Sequence, residues 1–83
     1  MSIRVSLFGF GDVRPPPFGK ADRIELALPT PAAPIAVLKA AGFVETDDLL
    51  LIVDDVVVLA SDWERPQIED GASLRVMSAI EGG

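Results

Sequence analysis

One short helical segment lies among segments that alternate like strands, and this pattern restricts the possible folds more than any other feature. Between Pro34 and Ala41, the apolar residues Ile35 and Leu38 recur at helical spacing and define one face. Pro34 suits the first position of a helix, and Gly42 is a typical residue just beyond its end. Because a helix of about two turns is unstable by itself, we expect it to pack on a sheet.

Two strands are predicted before this helix. Ile3, Val5 and Leu7 alternate with polar residues, which is typical of a half-buried strand. A second alternation, from Ile24 to Leu28, predicts another strand that ends at the prolines beyond it. The segment 9–20 between them is rich in glycine and proline, and this composition predicts a loop.

A hairpin and a last strand are predicted after the helix. The apolar runs 49–53 and 56–59 are separated by two aspartates, and this spacing predicts a tight turn between paired strands. Leu74 and Val76 then alternate with more polar residues in the last strand. Trp63 lies in a polar, irregular segment before it, and we expect its ring to plug the core at one end of the sheet.

The order strand, strand, helix, strand, strand, strand predicts an α+β fold. Its sheet is mixed and has four to five strands, and the short helix packs on one face. A chain of 83 residues forms one small domain. We place this domain at residues 1–79 and expect residues 80–83 to form a flexible tail.

Composition excludes several classes of function. The chain has no cysteine and no histidine, so it lacks disulfides, thiolate nucleophiles and the commonest general base and metal ligand. Thirteen acidic residues against seven basic ones give a net charge of −6, which argues against nucleic-acid binding. This net charge favours a partner that has a basic docking surface. No apolar run is long enough to span a membrane and no signal-peptide pattern is present, so we expect a cytoplasmic protein.

The sequence ends in Gly82-Gly83, directly after the last predicted strand. Without Cβ atoms these residues are thin enough to enter a narrow channel and present a terminal carboxylate to an enzyme. The alternative is an ordinary frayed chain end, because termini are commonly disordered. The compact domain predicted before the two glycines favours the first interpretation.

Several segments resemble the ThiS sulfur carriers of thiamin synthesis. They are the aspartate turn 53–58, Ser61-Asp62-Trp63, the segment 68–71, Leu74-Arg75-Val76 and the terminal Gly82-Gly83. The first half, with its longer loop after the first strand, is closer to MoaD, the related sulfur carrier of molybdopterin synthesis. The chain thus resembles the ThiS/MoaD family of ubiquitin-like sulfur carrier proteins over most of its length.

The resemblance implies a ubiquitin-like β-grasp fold and a carrier rather than an enzyme. In the family, a ubiquitin-activating-type adenylyltransferase uses ATP to adenylate the terminal glycine, and a sulfur donor then converts it to a thiocarboxylate. Gly83 would be the modified residue, Gly82 would keep the tail narrow, and the chain would bind no cofactor of its own. The sulfur would pass to a thiazole synthase or to the large subunit of molybdopterin synthase.

Two departures from the family pattern bear on this function. Asp54-Asp55 replaces the usual Asn-Gly turn, and Glu81 places a negative charge beside the reacting terminus. Thiamin thiazole formation is the pathway that the second half favours. The alternatives are a MoaD-like subunit of molybdopterin synthase, a ubiquitin-like modifier attached through Gly83, and an interaction domain whose Gly-Gly has no chemical role.

A partner surface is predicted near the tail. With Ile3, Val5 and Leu7 facing the helix, Phe8 and Phe10 would fall on the other side of the sheet if the alternation shifts near Gly9. Met77 alternates away from the core in the last strand and would join them. For each of these residues, burial in the core is the competing interpretation. The glycines at 9 and 11 lack the third glycine of a dinucleotide fingerprint, and the acidic pairs near 47 and 54 fit solvated turns better than a cation site.

Overall fold

The computed structural model describes residues 2–10, 15–44, 46 and 48–78, and these contain five strands and one α-helix. In chain order the elements are β1 (Ile3–Phe8), β2 (Arg23–Leu26), α1 (Pro34–Ala40), β3 (Leu49–Val53), β4 (Val56–Val58) and β5 (Ser73–Ser78). Short 3₁₀ turns cover Pro16–Phe18 and Ala60–Asp62. The strand predicted from Ile24 to Leu28 begins one residue earlier than predicted, at Arg23, and ends two residues earlier, at Leu26.

The strands form a single mixed sheet in the order β2-β1-β5-β3-β4. The first and last of the described strands, β1 and β5, lie side by side and run parallel, while the three other pairs are antiparallel. The predicted α+β fold, with a mixed sheet of four to five strands and one short helix, is confirmed at this level. β5 is therefore a central strand with a neighbour on each side.

The helix presents a slightly different face from the predicted one. Its fully buried residues include Val37 and Leu38, whereas Ile35, expected on the buried face, is only half-buried. Pro34 starts the helix and is also buried, so the buried positions follow the i, i+3, i+4 spacing from Pro34. Gly42 follows the helix with a φ of +99°, a left-handed conformation that suits glycine and ends the helix as predicted.

The predicted hairpin between β3 and β4 is confirmed, and both aspartates of its turn have positive φ. Asp54 lies at +47° and Asp55 at +70°, which is the conformation of a type I′ turn. Aspartate tolerates this region better than most residues do. Asp54 is also fixed to β5, because its carboxylate accepts a hydrogen bond from the Ser73 N–H at 3.1 Å and its own N–H donates to the Ser73 carbonyl at 2.9 Å.

The hydrophobic core lies between the sheet and the helix. We call this side of the sheet the covered face, and its central side chains are almost completely excluded from solvent. They are Ile3, Val5, Leu7, Leu51, Leu74 and Val76. Trp63 closes one end of the core as predicted: it is 5% exposed, and its indole N–H donates to the Val58 carbonyl at 2.9 Å.

The described part of the loop after β1 contacts the core through aromatic residues. Phe18, in the 3₁₀ turn, is buried and makes an edge contact with Phe43, at 6.2 Å between ring centroids. Phe43 follows the end of α1 and is itself buried. The loop that the composition predicted is therefore attached to the C-terminal end of the helix. Among the described helices, none has the length and apolar character needed to cross a bilayer.

Candidate functional site

The predicted reacting tail, Glu81, Gly82 and Gly83, lies outside the described residues. The last described residue is Ser78, at the end of the central strand β5. The predictions for the tail therefore stay predictions. The part of the structure that bears on them is the surface beside the end of β5.

The side of the sheet opposite the helix contains no buried residue among those described, and we call it the open face. Because side chains alternate along a strand, the register of the sheet shows which residues share this face. Read across β2, β1, β5, β3 and β4, these residues are Arg23, Glu25, Arg4, Ser6, Phe8, Ser73, Arg75, Met77, Leu50, Ile52 and Val57.

An apolar row crosses the open face at the end where β5 leads into the tail. Phe8 on β1 is level with Met77 on β5, and Met77 is level with Leu50 on β3. Phe8 is 47% exposed and Leu50 is 38% exposed. We call these three residues the apolar row. The structure thus brings together Phe8 and Met77, two of the three residues predicted for a partner surface.

A basic row lies next to the apolar row. Arg23 on β2 and Arg75 on β5 are both level with Ser6 on β1, so two guanidinium groups flank one hydroxyl across three neighbouring strands. Arg4 lies on the same face, and so does its cross-strand neighbour, the acidic residue Glu25. The open face therefore carries more positive than negative charge, although the whole chain has a net charge of −6. Counting charge over the whole sequence favoured a basic partner surface, whereas the local charge on this face favours an acidic one.

Arg75 lies at the boundary between the two rows. Its guanidinium pairs with the Asp55 carboxylate at 2.5 Å and lies over the Phe8 ring, 5.9 Å from the centroid. Arg4 pairs with Glu25 at 3.8 Å. Exposed ion pairs of this kind contribute about 0–1 kcal/mol each. Both arginines can therefore exchange these carboxylates for those of another molecule at little cost.

Phe10, the third residue predicted for the partner surface, is placed differently. It borders a shallow, solvent-open cleft of about 610 Å³ that Phe8, Arg23 and Arg75 also line. Its ring, however, is half-buried against the core and lies 5.7 Å from the ring of Phe43. The structure therefore groups Phe10 with the aromatic contacts of the helix end rather than with the apolar row.

Sequence reasoning missed several residues of the open face. Leu50 and Ile52 belong to an uninterrupted apolar run, in which nothing marks the residues that face away from the core. The arginines are far apart in sequence, and only strand pairing brings Arg23 and Arg75 to either side of Ser6. The Asp54-Asp55 turn gives part of the answer, because it fixes the hairpin register and so shows which residues of β3 and β4 share a face.

The described residues contain no cluster of three or more acidic, histidine or cysteine side chains that would hold a metal ion. The chain matches no protein-family model, no curated protein and no solved structure. The assignment of a function therefore depends on the residues and on the geometry of the open face.

Proposed function

We propose that this protein is a sulfur carrier with a ubiquitin-like β-grasp fold. The observation that carries the proposal is the sheet order, in which the parallel pair β1 and β5 lies between two antiparallel neighbours, β2 and β3, and one helix packs on one face. This arrangement makes β5, the last described strand, the central one, and it ends at Ser78 in the middle of the sheet. A central strand is a rigid base for a reactive tail.

The reaction takes place at the carboxylate of Gly83. A carboxylate at neutral pH is inert towards nucleophiles, so an adenylyltransferase first joins it to AMP from ATP and releases pyrophosphate. A sulfur donor then displaces AMP and leaves a thiocarboxylate. The five residues 79–83 span at most about 17 Å when extended, which is long enough to enter the active site of a docked enzyme.

Docking of the activating enzyme takes place on the open face. The apolar row supplies surface for burial beside the end of β5, and Arg23 and Arg75 supply positive charge next to this row. The complementary surface is therefore apolar at its centre and acidic at its margin. Thiamin thiazole formation is the pathway that the resemblance favours, and molybdopterin synthesis and attachment to protein lysines are distinguishable outcomes of the test.

The test is an intact mass measurement after incubation with ATP, a sulfide donor and an adenylyltransferase, using in separate experiments one from a thiamin pathway and one from a molybdopterin pathway. A carrier gains the mass of one oxygen-to-sulfur exchange, located to Gly83 by fragmentation, and the enzyme that supports it identifies the pathway. The matched control is the chain lacking Gly83, which keeps the whole described fold. Adducts between proteins would show a modifier instead. Absence of both sulfur exchange and ATP–pyrophosphate exchange with either enzyme would contradict the proposal, as would a natural protein that extends beyond Gly83.

A further inference from the structure

The two outer strands of the sheet differ in how they are protected. On β2, Arg23 and Glu25 are exposed and charged, while Ile24 and Leu26 are half-buried against the core. Charged side chains on an outer strand discourage another strand from pairing with it. The β2 edge therefore has ordinary protection against self-association.

The β4 edge has no such protection. Val56 is 64% exposed, Val57 52% and Leu59 65%. The segment 56–61 contains no charged residue, no proline and no glycine. A strand edge with this composition is a template for the addition of another strand.

The hairpin geometry shows which backbone groups the β4 edge offers. In a two-residue hairpin the residues that flank the turn, Val53 and Val56, form a hydrogen-bonded pair. Because the direction of these bonds alternates along a strand, Val57 directs its N–H and C=O away from β3. β4 pairs with β3 alone in the described sheet, so the outward groups of Val57 face no neighbouring strand. Leu59 also has an extended backbone, but its carbonyl accepts a hydrogen bond from the Asp62 N–H at 2.8 Å, so Val57 is the residue that presents both an outward N–H and an outward C=O.

We propose that β4 pairs antiparallel with β4 of a second copy of this chain, about a twofold axis at Val57. The side chains match on both faces of the resulting sheet. On the open face, the two copies of Val57 become neighbours, and each is flanked on its other side by Ile52 of its own copy. On the covered face, Val56 of one copy is level with Val58 of the other, which reduces the large exposure of Val56. These are apolar, β-branched pairs of the kind that stabilises neighbouring strands.

The acidic residues do not prevent this pairing. Asp55 lies two residues from the twofold axis, so the two copies of Asp55 are about 13 Å apart along the strands. This distance exceeds the screening length of about 8 Å at physiological salt. The net charge of −6 on each copy still opposes association at long range, so added salt strengthens the dimer.

The dimer is weak, because each copy contributes one short strand and a few side chains, well below a standard interface of about 800 Å² per partner. The twofold axis is perpendicular to the sheet, so both open faces lie on the same side and both helices on the other. Docking on the open face remains possible. The inference is therefore independent of the proposed function.

Sedimentation velocity over a range of concentrations and salt tests the pairing. We expect a dimer fraction that rises with both, and we expect Val57→Lys to lower the association constant by about tenfold or more. The matched control is Val44→Lys, which adds the same charge at a residue that is 94% exposed and outside the sheet. A wild-type chain that stays monomeric at millimolar concentration, or equal behaviour of the two lysine variants, overturns the proposal.

A cysteine variant keeps the test decisive if Val57→Lys disturbs the hairpin. Facing residues of such a pair lie about 5.5 Å apart between Cα atoms, which suits a disulfide. The chain has no cysteine of its own, so any cross-link reports the introduced residue. We expect Val57→Cys to form a disulfide dimer about tenfold faster than Val44→Cys under the same oxidant. Equal rates contradict the pairing.

Discussion

The two faces of the sheet are built from alternate residues of the same strands, yet they differ in composition and in surroundings. On β3, Leu51 is fully buried in the core, and its neighbour Leu50 lies on the open face and is 38% exposed. On β5, Leu74 and Val76 enter the core, while Arg75 is exposed between them. One face therefore holds the domain together, and the other is available for binding.

The largest expected effect separates the two neighbouring leucines of β3. Leu51→Ala should lower the free energy of unfolding by about 2–5 kcal/mol, because it removes a fully buried side chain and leaves a cavity. Leu50→Ala should lower it by less than about 1 kcal/mol. Urea unfolding followed by circular dichroism measures both. Similar losses for the two variants would break the distinction between the faces.

The next effect concerns the loop that packs on the covered side of the molecule. A methyl group at Gly42 would lie 2.7 Å from Cδ of Pro17, and the φ of +99° is unfavourable for alanine as well. Gly42→Ala should therefore cost about 2–3 kcal/mol. Gly71→Ala is the control, because its φ of +86° is also positive but nothing lies within 4 Å, so we expect about 1 kcal/mol. Thermal unfolding of both variants measures the difference. Equal losses of stability would show that the contact with Pro17 does not contribute.

A smaller effect tests the binding role of the open face and rests on the proposed function. Phe8→Ala should weaken docking of the adenylyltransferase about tenfold, roughly 1.4 kcal/mol, because it removes an exposed aromatic from the centre of the contact. The apparent KM for this protein in ATP–pyrophosphate exchange measures the change. Val44→Ala, at an exposed site away from the open face, should leave the KM unchanged. A Phe8→Ala variant that retains the wild-type KM would place docking elsewhere.

The smallest effect concerns the sign of charge on the open face. Arg75→Gln should raise the same KM about threefold at low salt, and the difference should disappear at high salt as the charges are screened. Arg65→Gln is a matched control, since Arg65 is exposed and belongs to no strand of the sheet. If Arg75→Gln instead lowered the KM, the docking surface of the enzyme would be basic, as the net charge of the whole chain suggested.

Local pattern was sufficient for the type and approximate position of the elements. Alternation identified β1, β2 and β5, because one buried face imposes a period of two on a strand, and two apolar runs on either side of an aspartate pair identified the hairpin. The prolines and Gly42 bounded the helix for steric reasons that operate within a few residues. The buried face of the helix was less well predicted, because Val37 is fully buried and Ile35 is not. In so short a helix most residues are apolar, so their spacing does not single out one face.

The residues of the candidate site were only partly predictable for a different reason. Phe8 and Met77 were identified by alternation within their own strands, and the structure places them side by side. Phe10 was grouped with them, yet its ring packs towards Phe43, because the chain leaves the regular strand at Gly9. Alternation carries no information beyond the end of a strand.

Sequence pattern was sufficient to predict an α+β domain with a short helix, a tight hairpin and a tryptophan in the core. These properties depend on periodicity and on the conformational limits of proline and glycine, which act over short distances along the chain. The folded structure was needed to show that β1 and β5 are neighbours in the sheet, that arginines gather on the open face of an acidic protein, and that the β4 edge is apolar and pairs with no further strand in the described sheet. Those features depend on which distant segments become neighbours, and strand pairing alone sets that.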